Sequence, residues 1–550
     1  MLIDIRSIVT ARDALSFCYI FVAFAGVPIT SWQAAVRMKK FDFRITLAAG
    51  FALSALLCAY QQILPGQSNL VSQTEDIVID TQAPSHPFPH YWEQMFGSGR
   101  ASLSLRQSYR RDLKAVKAVT EFRYVRFHAI FDRDVGLYNE DKQGHAEYNF
   151  TYVDQIYDGL LANGIRPFVE LSFMPPALAS TPQQQEFFYH PYIAPPRDWS
   201  RWEDLIRAFA QHLVARYGID EVSQWYFEVW NEPNIGFWAG EPKQATYFHL
   251  YDVAARALKS VSPQLRVGGP ATAQAAWASV FIAHCAQDKV PVDFVSTHVY
   301  GDDTAEDVFG THQKIPRRDM VVMAVKKVHD EVASSPMPHL PIIFSEYNAT
   351  YMNIPDITDS AFMGPWLAET IARCDGLLHL LSYWAFSDVF EEQGVAKKPF
   401  YGGYGLVAAG HIPKAAYNDF ALLHRLGTDR LTETPGPIVV TRRIDGTLAI
   451  AVWNYPPPGN GGRVRTYKLS LEGLSGPRHA IIWTVHEHHG SPLATWKAMG
   501  EPNFPSPNQQ EVLRQAAQLP PPEIEEVAAD SPDVTLQLQP HALSLIEITH

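Results

Sequence analysis

Cysteine is scarce in this chain: four in 550 residues, with Cys18 and Cys58 inside the first 60. The other two, Cys285 and Cys374, fall near the ends of different predicted helices, where the close Cα approach that a disulfide demands is not expected. They read as buried free thiols. HExxH and paired CxxC spacings are absent, which removes the commonest zinc motifs. The cluster "HEHHG" at 486–490 follows the strand-like "AIIWTV" and reads as an exposed hairpin, not a metal site. A basic stripe is also missing. Lys and Arg number 45 against 58 Asp and Glu, and the interspersed acids giving a formal charge of −13 favour solubility over a nucleic-acid partner.

What is present is apolar and aromatic: 47% and 12% of 550 residues, enough for more than one core and a prior of two domains. Residues 1–60 read as a leader. No charge occurs in 14–36 or 45–74, and Met38-Lys39-Lys40 precedes "ITLAAGFALSALLCAY", the charged start and short apolar run of a secretory signal. On that reading Met38 is the true start and the protein is exported, periplasmic or secreted. The rival reading makes 14–36 a membrane-spanning helix, the chain's one contact with a membrane.

From about 92 to 428, eight apolar runs alternate with amphipathic stretches: "EQMFGSG", "YVRFHAI", "PFVELSF", "WYFEVWN", "RVGGPAT", "FVSTHVY", "PIIFSEYN" and "LLSYWAFS". Between them, Trp202, Leu205, Ile206, Phe209, Leu213 and Tyr217 mark one face at the helical period. So do Leu105, Tyr109, Leu113 and Val116. The expected fold class is α/β, a (β/α)8 TIM barrel with its active site at the C-terminal strand ends. Residues 74–91 and 429–550 are β-rich and are expected to form an accessory β-sandwich. The proline-rich segment 520–532 reads as a surface loop.

Listing the polar strand ends gives His128, Asn231, Glu232, His298, Tyr300, Glu346 and Trp384. Pro233 disfavours the helical region for Glu232 and is expected to hold it extended. Two carboxylates converging on one rim cost several kcal/mol if unpaired, so they need a reason. Retaining glycoside hydrolysis supplies one: a nucleophile, and an acid that later turns base. Structural ion pairs are the plain alternative for the two Glu, and core packing for the histidines, Trp384 and Phe237. Either aromatic face could instead stack on a sugar ring.

The motifs "YVRFH", "GIRPFVELSFMP", "FEVWNEPN", "PVDFVSTHVY", "LPIIFSEYNATY" and "SYWAFSDVFEE" resemble the family 39 glycoside hydrolases, in particular their bacterial β-xylosidases. The resemblance runs from about residue 92 to the C-terminus. It implies Glu232 as acid/base, Glu346 as nucleophile and Asn231 as partner of the sugar 2-hydroxyl. His298 and Tyr300 are implied near the nucleophile, His128 on the sugar, and Glu391 or Glu392 on sugar hydroxyls. No metal or organic cofactor is implied. The chain departs from the family pattern at Ala129, where a Gly is usual, and at Arg133 between Asp132 and Asp134. The expected activity is exo-acting release of xylose from β-linked xylo-oligosaccharides. Alternatives are an iduronidase-like or endo-acting hydrolase, or a carbohydrate-binding protein that has lost catalysis.

Overall fold

The computed structural model describes residues 74–549 apart from 433, 460 and 477; the leader, with Cys18 and Cys58, lies outside the described residues. Eight parallel strands close a barrel in chain order: β1 (Met95–Gly97), β2 (Tyr124–Phe127), β3 (Arg166–Leu171), β4 (Tyr226–Val229), β5 (Arg266–Thr272), β6 (Phe294–Tyr300), β7 (Ile342–Asn348) and β8 (Leu380–Tyr383). Each falls within one of the eight expected runs, except that β3 begins one residue earlier, at Arg166. The helix Trp199–Tyr217 shows why the spacers coil: Asp198 caps its first turn by accepting from Ser200 N and Arg201 N. Trp202, Leu205, Ile206, Phe209 and Leu213 are buried on its inner face, each worth roughly 1.5–3 kcal/mol. Cys285 and Cys374 are buried free thiols.

The strands alternate with period two, and the barrel interior is therefore layered. At the bottom, Met95, Phe168, Tyr226, Phe294, Ile343 and Leu380 form one apolar plug. Two residues further along each strand the layer turns polar, with Arg126, Glu170, Glu228, Ser296, Ser345 and Ser382 all buried. The next step reaches the rim. In β7 the alternation breaks. Thr297 of β6 faces Phe344, but His298 faces Glu346, so Ser345 is an extra residue at a β-bulge. A bulge re-aims side chains; it lets Ser345 and Glu346, neighbours in sequence, both serve the interior.

Seven strands form one sheet and three another, including Thr74–Asp80, which pairs with Arg465–Glu472. Ile77, Leu469 and Val534 of the small sheet share a core with Val440, Ile450 and Ile546 of the large one, which makes a sandwich. The centre of the large sheet is buried on both faces: along Leu448–Trp453, Leu448, Ile450 and Val452 face the sandwich core while Ala449, Ala451 and Trp453 join the barrel's. Part of 520–532 is not a loop. Glu523–Val527 is an edge strand paired with 478–482; its acidic residues suit an exposed sheet edge, and they masked its strand character. His486 and His489 exchange backbone hydrogen bonds at 3.0 Å, closing the expected hairpin turn.

Candidate active site

A cavity of about 390 Å³ opens at the C-terminal rim of the barrel, within the range of small-molecule sites. Residues following seven consecutive strands wall it: His128 after β2, Phe187 after β3, Asn231, Glu232 and Phe237 after β4, Gln274 after β5, Asp303 after β6, Tyr351 after β7, and Trp384, Glu392 and Tyr404 after β8. Tyr300 and Glu346, at the ends of their strands, complete the floor. An oxygen of Glu232 and one of Glu346 lie within 4.8 Å of each other.

The turn after β4 is not the extended one expected. Glu232 has φ 44° and Trp230 φ 74°. Pro233 closes the right-handed helical region to Glu232, and the chain escapes into the left-handed one, where Glu232 N donates to Ala271 O at 2.7 Å. Proline thus constrains the carboxylate, by another route than anticipated.

Beneath the rim, Arg126 is fully buried and every arm is used. Its Nε donates to Glu228 at 2.6 Å, Nη1 to Glu346 Oε1 at 2.6 Å, and Nη2 to Glu170 at 2.7 Å and Asn231 Oδ1 at 2.9 Å. Tyr300 OH donates to Glu346 Oε2 at 2.6 Å. Glu346 is therefore held as an anion by two donors. Burial alone would lower the His128 imidazole, but Glu170 at 2.7 Å and Glu392 at 3.3 Å outweigh it and push it up to about 10. It carries a positive charge between floor and wall.

His298 behaves oppositely. Burial, then Arg126 and His128, drive its pKa well down, so the ring is neutral. Its tautomer follows from the hydrogen bonds. Ser345 Oγ donates to Glu228 at 2.6 Å, so it must accept from His298 Nε2 at 3.1 Å. That leaves Nδ1 bare, 3.0 Å from Glu232 Oε1, and only a protonated Glu232 can donate to it. Burial and the charge of Glu346 raise the Glu232 pKa far above the carboxylate range, in agreement. Burial lifts Glu346 too, against the pull of Arg126 and His128. The pair shares one proton, and it sits on Glu232.

Of the residues expected at the site, His128, Asn231, Glu232, Phe237, Tyr300, Glu346, Trp384 and Glu392 all line the cavity. Trp384 lies over Gly97, where a Cβ would come within 1.9 Å of its ring; no other residue fits beneath it. His298 lies near the nucleophile as expected, its Nδ1 3.6 Å from Glu346 Oε1, but as a substrate contact it is a correction: it is fully buried behind Glu232 and acts on the acid, not on a ligand. Glu391 is another. With φ 69° it turns outward to Arg106 and Arg100, leaving Glu392 to face inward. Sequence reading missed Glu170, Glu228, Ser345, Gln274 and Asp303. The first two left a signal, as charges inside apolar strands that must find partners. Arg133 is exposed and donates to Tyr189 O at 3.0 Å, away from the cavity.

Among the described residues, Glu232, His298 and Glu346 bring ligand atoms within 4.8 Å, and so do His90, Glu93 and His424. Hydrogen bonds explain both groups: in the second, Glu93 accepts from His90 at 2.5 Å and His424 at 2.9 Å.

The model of the family described as Glycosyl hydrolases family 39 matches residues 75–531. The chain belongs to this family. Family 39 enzymes are retaining glycoside hydrolases, and the carboxylate pair fits that chemistry. The chain is 41% identical over 440 residues to a β-xylosidase of Geobacillus stearothermophilus, covering 78% of this chain and 86% of that one. It is 34% identical over 479 residues to a β-xylosidase of Caldicellulosiruptor saccharolyticus, covering 83% and 95%. A crystal structure of a monomeric β-xylosidase from Caulobacter crescentus superposes with TM-score 0.78 at 33% identity, over 86% of this chain and 99% of that one.

Proposed function

We propose that the protein is an exo-acting β-xylosidase that releases xylose from the non-reducing ends of xylo-oligosaccharides, with Glu346 as nucleophile and Glu232 as acid/base. The observation that carries this is the carboxylate separation within 4.8 Å, one oxygen protonated and the other anionic. An inverting pair would stand about 6.5–9.5 Å apart to admit a water. Walls from seven strand ends favour a pocket that accepts a chain end over an open groove.

In the first step Glu346 attacks the anomeric carbon while Glu232 gives its proton to the departing oxygen. A glycosyl ester forms as the glycosidic bond breaks. Esterified Glu346 has no charge, so the repulsion that raised the Glu232 pKa falls away and its carboxylate becomes a base. It then takes a proton from water, whose oxygen displaces Glu346 from the sugar. Asn231, fixed by Arg126, is the partner for the 2-hydroxyl. His128 and Glu392 bind sugar hydroxyls, and Trp384 and Phe237 present aromatic faces.

An iduronidase-like activity would need a cation for the sugar carboxylate. No Lys or Arg is among the described residues lining the cavity, and Arg126 is consumed by three carboxylates. The leader supports export and action on extracellular xylan fragments, which N-terminal sequencing of the exported protein tests. The activity is tested by comparing 4-nitrophenyl β-xyloside with the glucoside, arabinoside and iduronide. Preference for the xyloside is expected; no turnover of it overturns the reading.

A further inference from the structure

The end of β5 and the segment that follows hold four side-chain-bearing residues at positive φ: Ala271 at 53°, Gln274 at 62°, Ala275 at 49° and Trp277 at 60°. L residues rarely adopt this region, and it persists where surroundings impose it, often at functional sites. Here they do impose it. Thr272 Oγ1 donates to Ala276 O and Lys327 Nζ to Ala275 O, both at 2.6 Å. Asn234 brackets Ala273, accepting from its N–H at 2.9 Å and donating to its carbonyl at 3.0 Å. Asn234 stands two residues after Glu232, whose N–H itself donates to Ala271 O at 2.7 Å. The strained segment is built onto the turn that carries the acid, and beside Ala273 the polar side chain it delivers to the cavity is Gln274. The Gln274 amide makes no side-chain hydrogen bond among the described residues.

Asp303 lines the same cavity after β6, and Tyr300 N donates to its Oδ2 at 2.8 Å. Arg126 and His128 act on both catalytic carboxylates, but Asp303 acts on Glu232 and Glu392 on Glu346. The cavity is therefore polar at two ends. One surrounds the anionic Glu346; the other surrounds the protonated Glu232. The donated proton goes to the departing oxygen, so the leaving group exits past Glu232.

We propose that Gln274 and Asp303 form a subsite for the leaving sugar, hydrogen-bonding the hydroxyls of the residue that departs. The amide offers donors and an acceptor and the carboxylate offers acceptors, a set matched to a polyhydroxylated ring and not to an aryl or alkyl aglycone. This rests on the xylosidase reading, which the wild-type rate on 4-nitrophenyl β-xyloside tests separately.

The experiment compares kcat/KM on xylobiose and on 4-nitrophenyl β-xyloside for the wild type, Gln274→Ala and Asp303→Asn, with thermal unfolding run alongside. Gln274→Gly, which suits the positive φ, serves if the alanine variant does not fold. The ratio of xylobiose to aryl xyloside activity, taken at a pH below the alkaline limb of every variant, should fall about tenfold in each variant, the size of one good hydrogen bond. Equal proportional loss on both substrates, or no change in the ratio, overturns the proposal.

Discussion

The Nδ1 of His298 lies 3.0 Å from Glu232 Oε1 and carries no proton, because Ser345 takes the ring's single N–H on the far side. A bare nitrogen facing a carboxyl stabilises its protonated form, so His298 and Ser345 help keep the acid charged with its proton. Ser345→Ala frees the tautomer, and His298 can then donate to Glu232 and favour its carboxylate. Activity needs Glu232 protonated and is lost as pH rises through its pKa. Lowering that pKa must move the alkaline limb of the kcat/KM profile to lower pH. A limb that stays in place would show that the tautomer does not govern the acid.

Among the described residues Arg126 is the one side chain that pairs with Glu170, Glu228 and Glu346 together, while His128 adds a second cation on Glu170 at 2.7 Å. Arg126→Met leaves three buried carboxylates without it. Breaking a buried pair in this way costs about 3–5 kcal/mol, measurable by denaturant unfolding. Loss of the charge that orients Glu346 should also lower kcat by about 100-fold or more, as expected for a preorganised electrostatic contact. A stable, active Arg126→Met enzyme would contradict the charged layer described for the barrel.

Ala129 occupies a backbone with φ 70° and is fully buried. The left-handed region costs a non-glycine residue about 1–2 kcal/mol, while one buried methyl returns about 0.8 kcal/mol. Strain wins. Ala129→Gly is therefore expected to stabilise the protein by about 0.5–1 kcal/mol, read as a higher unfolding midpoint. Destabilisation would mean that the methyl contact dominates.

The barrel was legible because its strands are buried on both faces and read as mostly apolar runs, several of them ending in a polar group. Glu232 and Glu346 stood out for that reason. The bulge that separates Ser345 from Glu346 did not, since a bulge depends on the register with β6. The same non-local register hides the charged layer: Arg126, Glu170 and Glu228 lie 44 to 102 residues apart and meet only when the sheet closes. Adjacent Glu391 and Glu392 were indistinguishable in sequence because a single positive φ decides which one faces inward. Pro233 excluded one backbone region for Glu232 without selecting between the other two.

The division of labour between the two carboxylates is tested most directly by azide rescue of Glu232→Ala and Glu346→Ala on an activated aryl β-xyloside. Glu346→Ala should be nearly inactive, and azide should restore turnover as the α-xylosyl azide by direct displacement. Glu232→Ala should form the glycosyl ester and yield the β-xylosyl azide. Products of the opposite anomeric configuration in the two variants would contradict the assignment of Glu346 as nucleophile and Glu232 as acid/base.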